Sequence, residues 1–321
     1  MDIPFDLLYI VASFIVKPRM KLLDWIPKKK LNWDILSANP NAIQLLEIVL
    51  QHEPDKINWK YLSRNPNAIH ILEKYPKKID WNTLSRNPNA IHLLEKYPYK
   101  IMWWRLSRNP NAIHLLEKHP DKINWGELSD NPNLFNATHL LETVLQYDPD
   151  KISWDTLSMN PNAIQFLEKY PDRIGWEYLS INPNAIHLLE QNLDKINWYN
   201  LSMNPNAISL LEKYPDKIDW RTLSLNPNAI HLLEKYPDKI NWDYLSRNSN
   251  LLQAIQLLDA NPDKIVWECL SENPNAMPLL EKYPNKIRWS YLSRNPSIFE
   301  IDINQTKIYT MNKAKNIDFY K

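Results

Sequence analysis

Apolar and polar positions along this chain recur with a period of about 22 residues between Leu31 and Pro296, a spacing that marks an array of stacked supersecondary units. One unit reads Ile79-Asp80-Trp81-Asn82-Thr83-Leu84-Ser85-Arg86-Asn87-Pro88-Asn89-Ala90-Ile91-His92-Leu93-Leu94-Glu95-Lys96-Tyr97-Pro98. A Leu-Ser pair sets the register at Leu36, Leu62, Leu84, Leu106, Leu128, Leu157, Leu179, Leu201, Leu223, Leu245, Leu270 and Leu292, and a tryptophan precedes each of these leucines by three residues. That spacing puts Trp and Leu on one face of a helix. The residue before Trp is usually of a capping type, as at Asn32, Asn58, Asp80, Asn124, Ser153, Asn197, Asp219 and Asn241, so a short first helix starts at Trp and ends near Asn-Pro. Asn87 and Pro88 suit the cap and first position of a second helix, which Tyr97-Pro98 stops. At about 100° per residue, Ala90, Ile91, Leu93, Leu94 and Tyr97 gather on one side of that helix and His92, Glu95 and Lys96 on the other.

Departures from the period carry the same message. Extra residues come as four after Glu47, three after Asn133 together with four after Glu142, and three after Asn250. Each is close to one helical turn and lengthens the second helix with its apolar face in phase. The fold class expected is therefore all-α: an α-solenoid of about twelve two-helix repeats, its superhelical hand left open. Helices this short are marginal alone, and stacking must hold them. The tryptophans, among them Trp59, Trp81, Trp125, Trp154, Trp176, Trp198, Trp220 and Trp242, are the structural anchors; burying one gains at most roughly 4–6 kcal/mol. Changing Trp220 to Ala is expected to cost about 3–5 kcal/mol. With helices about 8–10 Å apart, such a stack would form a rod or superhelix on the order of 100 Å long. Residues 1–30 are expected to form an N-terminal cap, 31–296 the repeat array, and 297–321 a C-terminal cap followed by a loosely held tail.

Composition narrows the chemistry. Only Gly126 and Gly175 are glycines, whereas 25 prolines sit mostly at fixed repeat positions, which favours short helices over glycine-rich hairpins. The formal net charge is +1, so attraction to nucleic acid or an anionic membrane would need a local stripe. A single cysteine, Cys269, excludes an internal disulfide framework and fits a reducing, cytosolic or nuclear setting, of which the cytoplasm is the one expected. The most apolar stretch, Leu7 to Val16, is too short to span a bilayer and lacks the basic start of a secretion signal. No phosphate-cradling glycine loop, His-Glu-x-x-His pair or Gly-x-Ser-x-Gly elbow occurs. No catalytic residue, cofactor or metal site is expected.

Two repeat positions are candidates for recognition. The residue after Leu-Ser is Arg64, Arg86 and Arg108 in three consecutive units, then Asp130, then Met159, Ile181, Met203 and Leu225 in four. If exposed, the apolar ladder would suit a partner helix or strand and the arginines would meet carboxylates or phosphates. If turned partly inward, the same residues would merely pack. The position after Ala-Ile is mostly His or Gln, including His70, His92, His114, His139, His187 and His231. Units about 8–10 Å apart cannot share a metal through such histidines, so a solvated ladder is expected. Both asparagines of Asn-Pro-Asn are explained by capping and turn chemistry.

The recurring Trp-x-x-Leu-Ser-x-Asn-Pro-Asn-Ala-Ile-x-Leu-Leu-Glu motif resembles the Asn-Pro-Asn-Ala-Ile repeat proteins that giant DNA viruses of amoebae encode in many copies. The resemblance implies an architecture and a host-cell cytoplasm, and no particular activity. Near the start, Pro4, Asp6, Leu7, Leu8, Val11, Phe14 and Ile15 resemble the opening helix of an F-box, which implies a Skp1-type adaptor as partner. The function expected is a monomeric, non-enzymatic protein-protein interaction scaffold. Alternatives are an F-box-like substrate adaptor, with residues 3 to about 25 docking Skp1, and single-stranded RNA binding, which near-neutral charge disfavours.

Overall fold

Capping chemistry starts each first helix where the pattern places it. In the computed structural model, which describes residues 17–315, the side chains of Asn32, Asn58, Asp80, Asn124, Asn197, Asp219 and Asn241 accept hydrogen bonds from the N–H three residues on. Ser153 does not cap in this way; its hydroxyl bonds Thr156 Oγ1 at 2.8 Å. First helices run for four to six residues, as in Trp81–Leu84 and Trp59–Arg64. Asn-Pro-Asn-Ala then forms a tight turn, often one turn of 3-10 helix such as Pro88–Ala90, and the second helix follows, Ile91–Lys96. Pro-Asp-Lys makes a further 3-10 turn between most units, as at Pro120–Lys122. The chain is an all-α solenoid of helix pairs repeating about every 22 residues.

Insertions fall where helical phase allows. Second helices lengthen to Ile43–His52, Thr138–Tyr147 and Leu251–Asp259. The three residues after Asn133 go instead into a longer 3-10 turn, Leu134–Ala137.

One continuous core runs through all units. The Leu of each Leu-Ser pair, the Ala of Asn-Ala and the second Leu of Leu-Leu are buried in nearly every repeat. Most tryptophans are half-buried, and six pack beside the Tyr that ends their unit, such as Trp220 on Tyr236 with ring centroids 5.0 Å apart. Because Trp220 keeps one edge in solvent, Trp220→Ala is expected to cost about 3 kcal/mol, the low end for such a truncation. A chemical denaturation midpoint measured against the wild type checks this.

The asparagines and serines do more than cap. Asn65 Nδ2 donates to the Ser37 and Asn39 carbonyls of the preceding unit at 3.2 and 2.8 Å, while its Oδ1 accepts from Asn67 N–H. Asn67 Nδ2 donates to Pro40 O at 2.9 Å. Ser63 Oγ donates to Trp59 O and accepts the Asp80 N–H of the next unit at 3.0 Å. These bonds recur along the array, so a buried polar ladder stitches unit to unit.

The ladder does not stop at the ends. Asn39 Nδ2, in the first unit, donates to Ser293 O and Asn295 O of the twelfth at 3.2 and 3.1 Å. Asn41 Nδ2 donates to Pro296 O at 3.0 Å, and Asn32 N–H to Ser293 Oγ at 2.8 Å. Lys30 lies 4.6 Å over the Trp289 ring, as Lys56 lies 5.2 Å over Trp33. The twelfth unit is therefore followed in space by the first, in the register of every internal junction, and the array closes into a ring. This corrects the expectation of a rod or open superhelix: each junction bends the same way, and twelve bends bring the ends together.

Both chain ends complete the twelfth unit. In place of its second helix, β1 (Met20–Leu22) pairs antiparallel with β2 (Phe299–Ile301), Leu22 opposite Phe299. Leu23 N–H donates to Ile298 O at 2.9 Å, and Asp302 N–H to Arg19 O at 2.7 Å. Residues Lys28–Lys30 supply the connecting 3-10 turn. Within the segment expected to hold a cap and then a tail, Ile303–Lys315 is a helix, fastened by Arg19 N–H to Thr306 Oγ1 at 2.8 Å and by Arg19 lying 4.4 Å over Tyr309. Sequence periodicity is blind to this clasp because its pieces lie at opposite ends of the chain.

Candidate functional site

Ring closure gives the units an inside and an outside. First helices of neighbouring units pack closely, as Trp59–Arg64 does on Trp81–Leu84, whereas second helices of neighbouring units stand farther apart. In a closed ring the closely spaced elements lie on the inner circumference. One depression is bordered by Glu272, Arg294, Ala38 and Arg64 from four successive units, as expected of a concave wall. Twelve helices about 8–10 Å apart enclose a circle about 30–40 Å across between axes. Allowing for helices about 10–12 Å thick, the opening is about 20–30 Å.

The outer helices are committed to one another. His70, His92, His114, His139, His187 and His231 each place Nε2 within 2.7 to 3.3 Å of a glutamate in the preceding unit. Where the pattern substitutes Gln165 or Ser209, a lysine takes over: Lys169 meets Glu142 at 2.7 Å and Lys213 meets Glu190 at 3.4 Å. Histidines expected to be merely solvated thus pair across junctions while staying about half exposed. Such exposed pairs add little stability each, but they occupy the outer polar groups.

The inner wall is different in kind. The residue after Leu-Ser projects there, and its chemistry changes around the ring. Arg64 and Arg86 are exposed, and no ion pair is formed by either among the described residues. Arg108 is half-buried and bridged to Asp130, with Glu127 at 3.9 Å. Burial, and then the charge of Arg86, pull its guanidinium below the ordinary value. Met159 is exposed, while Ile181, Met203 and Leu225 are half-buried, so both readings of the apolar ladder hold in part. Beyond it, Arg247 pairs with Asp243 and Arg294 with Glu272.

Sequence reasoning missed the neighbours that complete the basic arc. Lys60, Tyr61 and Arg105 share one concavity of about 400 Å³ with Arg64, Thr83 and Arg86. Arg105 stacks 4.0 Å over Trp104 and donates to Asn82 Oδ1 at 3.3 Å. The signal was available, since these residues stand one and two places after Trp, where helical spacing puts them beside the Ser-flanking position.

Cys269 is half-buried; burial pushes its thiol up, with Arg247 opposing. Among the described residues no cluster of His, Cys, Asp and Glu could hold a metal ion, and no helix is long and apolar enough to cross a membrane. The F-box-like positions Pro4, Leu7, Leu8, Val11 and Phe14 lie outside the described residues. Compared with known proteins, the chain matches no family model, and no curated protein or solved structure matches it significantly.

Proposed function

We propose that this protein is a non-enzymatic protein-interaction scaffold, a ring that grips partner segments against its inner wall. The observation that carries the reading is the contrast between the two circumferences. Outer polar groups are spent on unit-to-unit pairs such as His92 with Glu73 at 2.7 Å. Inner positions vary from basic through acidic to apolar around the ring, which is how a repeat array diversifies a recognition surface on a uniform frame. An apolar run of Met159, Ile181, Met203 and Leu225 beside charged arcs is the mixture that protein partners use.

Site-specific photo-crosslinking tests it. A photoreactive residue at position 181 on the inner wall is expected to trap a discrete partner from cells that express the protein, and one at position 187 on the outer helices is not. Trapping only from position 187, or from neither, would remove the basis for the proposal.

A further inference from the structure

We infer that the inner arc of the second to fourth units is a docking site for an acidic, extended segment of a partner protein. The inference rests on the reading of the inner wall as the partner-binding surface and names the chemistry of one part of it. Lys60 and Arg64 of the second unit and Arg86 of the third stand without an ion partner among the described residues. Arg105 has a neutral amide and the Trp104 ring for company. Cations gathered this closely repel one another, and a carboxylate chain would relieve that repulsion through charge-assisted hydrogen bonds. At the arc's edge Arg108 is held below its ordinary value first by burial, with Arg86 and Arg105 adding repulsion and Glu127 opposing it.

Shape and borders narrow the ligand. Three units about 8–10 Å apart span about 16–20 Å, the length of five or six extended residues at about 3.3 Å each. Exposed Tyr61 and Trp104, at 40 % and 42 %, offer faces on which apolar side chains between the carboxylates can lie. Carboxylates close both ends of the arc: Asp34 on one side, Glu127 and Asp130 on the other. A polynucleotide tracking the wall would meet them with a phosphate at every step, and a short acidic peptide does not. Past Asp130 the wall turns apolar, which a protein chain can use and a phosphodiester backbone cannot.

The test is fluorescence anisotropy with a labelled Glu-rich peptide about eight residues long carrying two leucines, its Gln-for-Glu counterpart, and a single-stranded RNA of similar length. The full-length protein is expected to bind the Glu peptide, less tightly as salt rises. Affinity should fall more than about tenfold for the Gln peptide and for the Arg64→Gln/Arg86→Gln variant. A His187→Gln variant, on the outer helices away from the arc, should bind as the wild type does, and unchanged melting curves show that both variants fold. Equal affinity for the Gln peptide, an unaffected double variant, or tighter RNA binding through the same arginines would overturn the inference. If the double variant still captures the partner crosslinked from position 181, the scaffold reading stands and the acidic docking site falls.

Discussion

Removing residues 299–321 is expected to open the ring. The deletion takes away β2, whose Phe299 is 5 % exposed, and the helix that holds Arg19 through Thr306 and Tyr309. Loss of a buried phenylalanine alone costs about 3–5 kcal/mol, so the truncated protein should be less stable than the intact one by more than about 4 kcal/mol. The mode of failure is more telling than its size. Every other junction is backed by a peptide linkage, but the seam between the twelfth and first units is closed across the whole chain, and its loop entropy must be met by contacts alone. Hydrogen exchange at the Leu23 and Asn32 N–H groups, whose acceptors lie in the twelfth unit, should accelerate selectively in the truncated protein, and small-angle scattering should show a larger maximum dimension. If these amides already exchange at fraying rates in the intact protein, the ring is not closed in solution.

The second large effect belongs to the asparagine ladder. Asn204 is fully buried, and its Nδ2 donates to Ser180 O and Asn182 O at 3.0 and 2.9 Å. Asn204→Ala leaves Ser180 O without its donor and Asn206 N–H without its acceptor, while Asn182 O keeps only the Ala185 N–H at 3.2 Å, for a total cost of about 2–4 kcal/mol. Asn204→Asp should be worse although it is nearly isosteric. Its carboxylate keeps the bond from Asn206 N–H but faces two carbonyl oxygens with nothing to donate, in a place where an unpaired charge is costly. Urea unfolding should rank the variants wild type, Ala, Asp in falling stability at neutral pH. An Asp variant equal to wild type would show that the ladder is not what joins the units.

The helix pairs were legible because their signals are local. Trp81 and Leu84 on one face, Asp80 as cap and Pro88 at a turn are decided within a few residues, and the structure has them so. The insertions after Glu47, Glu142 and Asn250 were legible for the same reason, since helical phase is a local property, whereas the three residues after Asn133 form a 3-10 turn instead. What lay out of reach was curvature. A small, equal bend at each junction leaves no mark on any one repeat, yet its sum decides between a rod and a ring. The cross-unit role of Asn65 was hidden by its local one, for the side chain whose Oδ1 caps a turn also turns its Nδ2 toward the preceding unit. The candidate face was half legible. The arginine stripe was visible at Arg64, Arg86 and Arg108, but Lys60 and Arg105 join it only once the first helices are known to line a concave wall.

A circle also sets a census. Twelve junctions share one full revolution at about 30° apiece, and the twelfth is assembled from both termini. Gene duplication readily lengthens an open stack, but here a thirteenth module would ask every joint to relax by about 2°, and loss of one would ask for about 3° more. The lineage of such a chain is therefore expected to tolerate swaps of side chains on the inner wall far better than changes in the tally of modules.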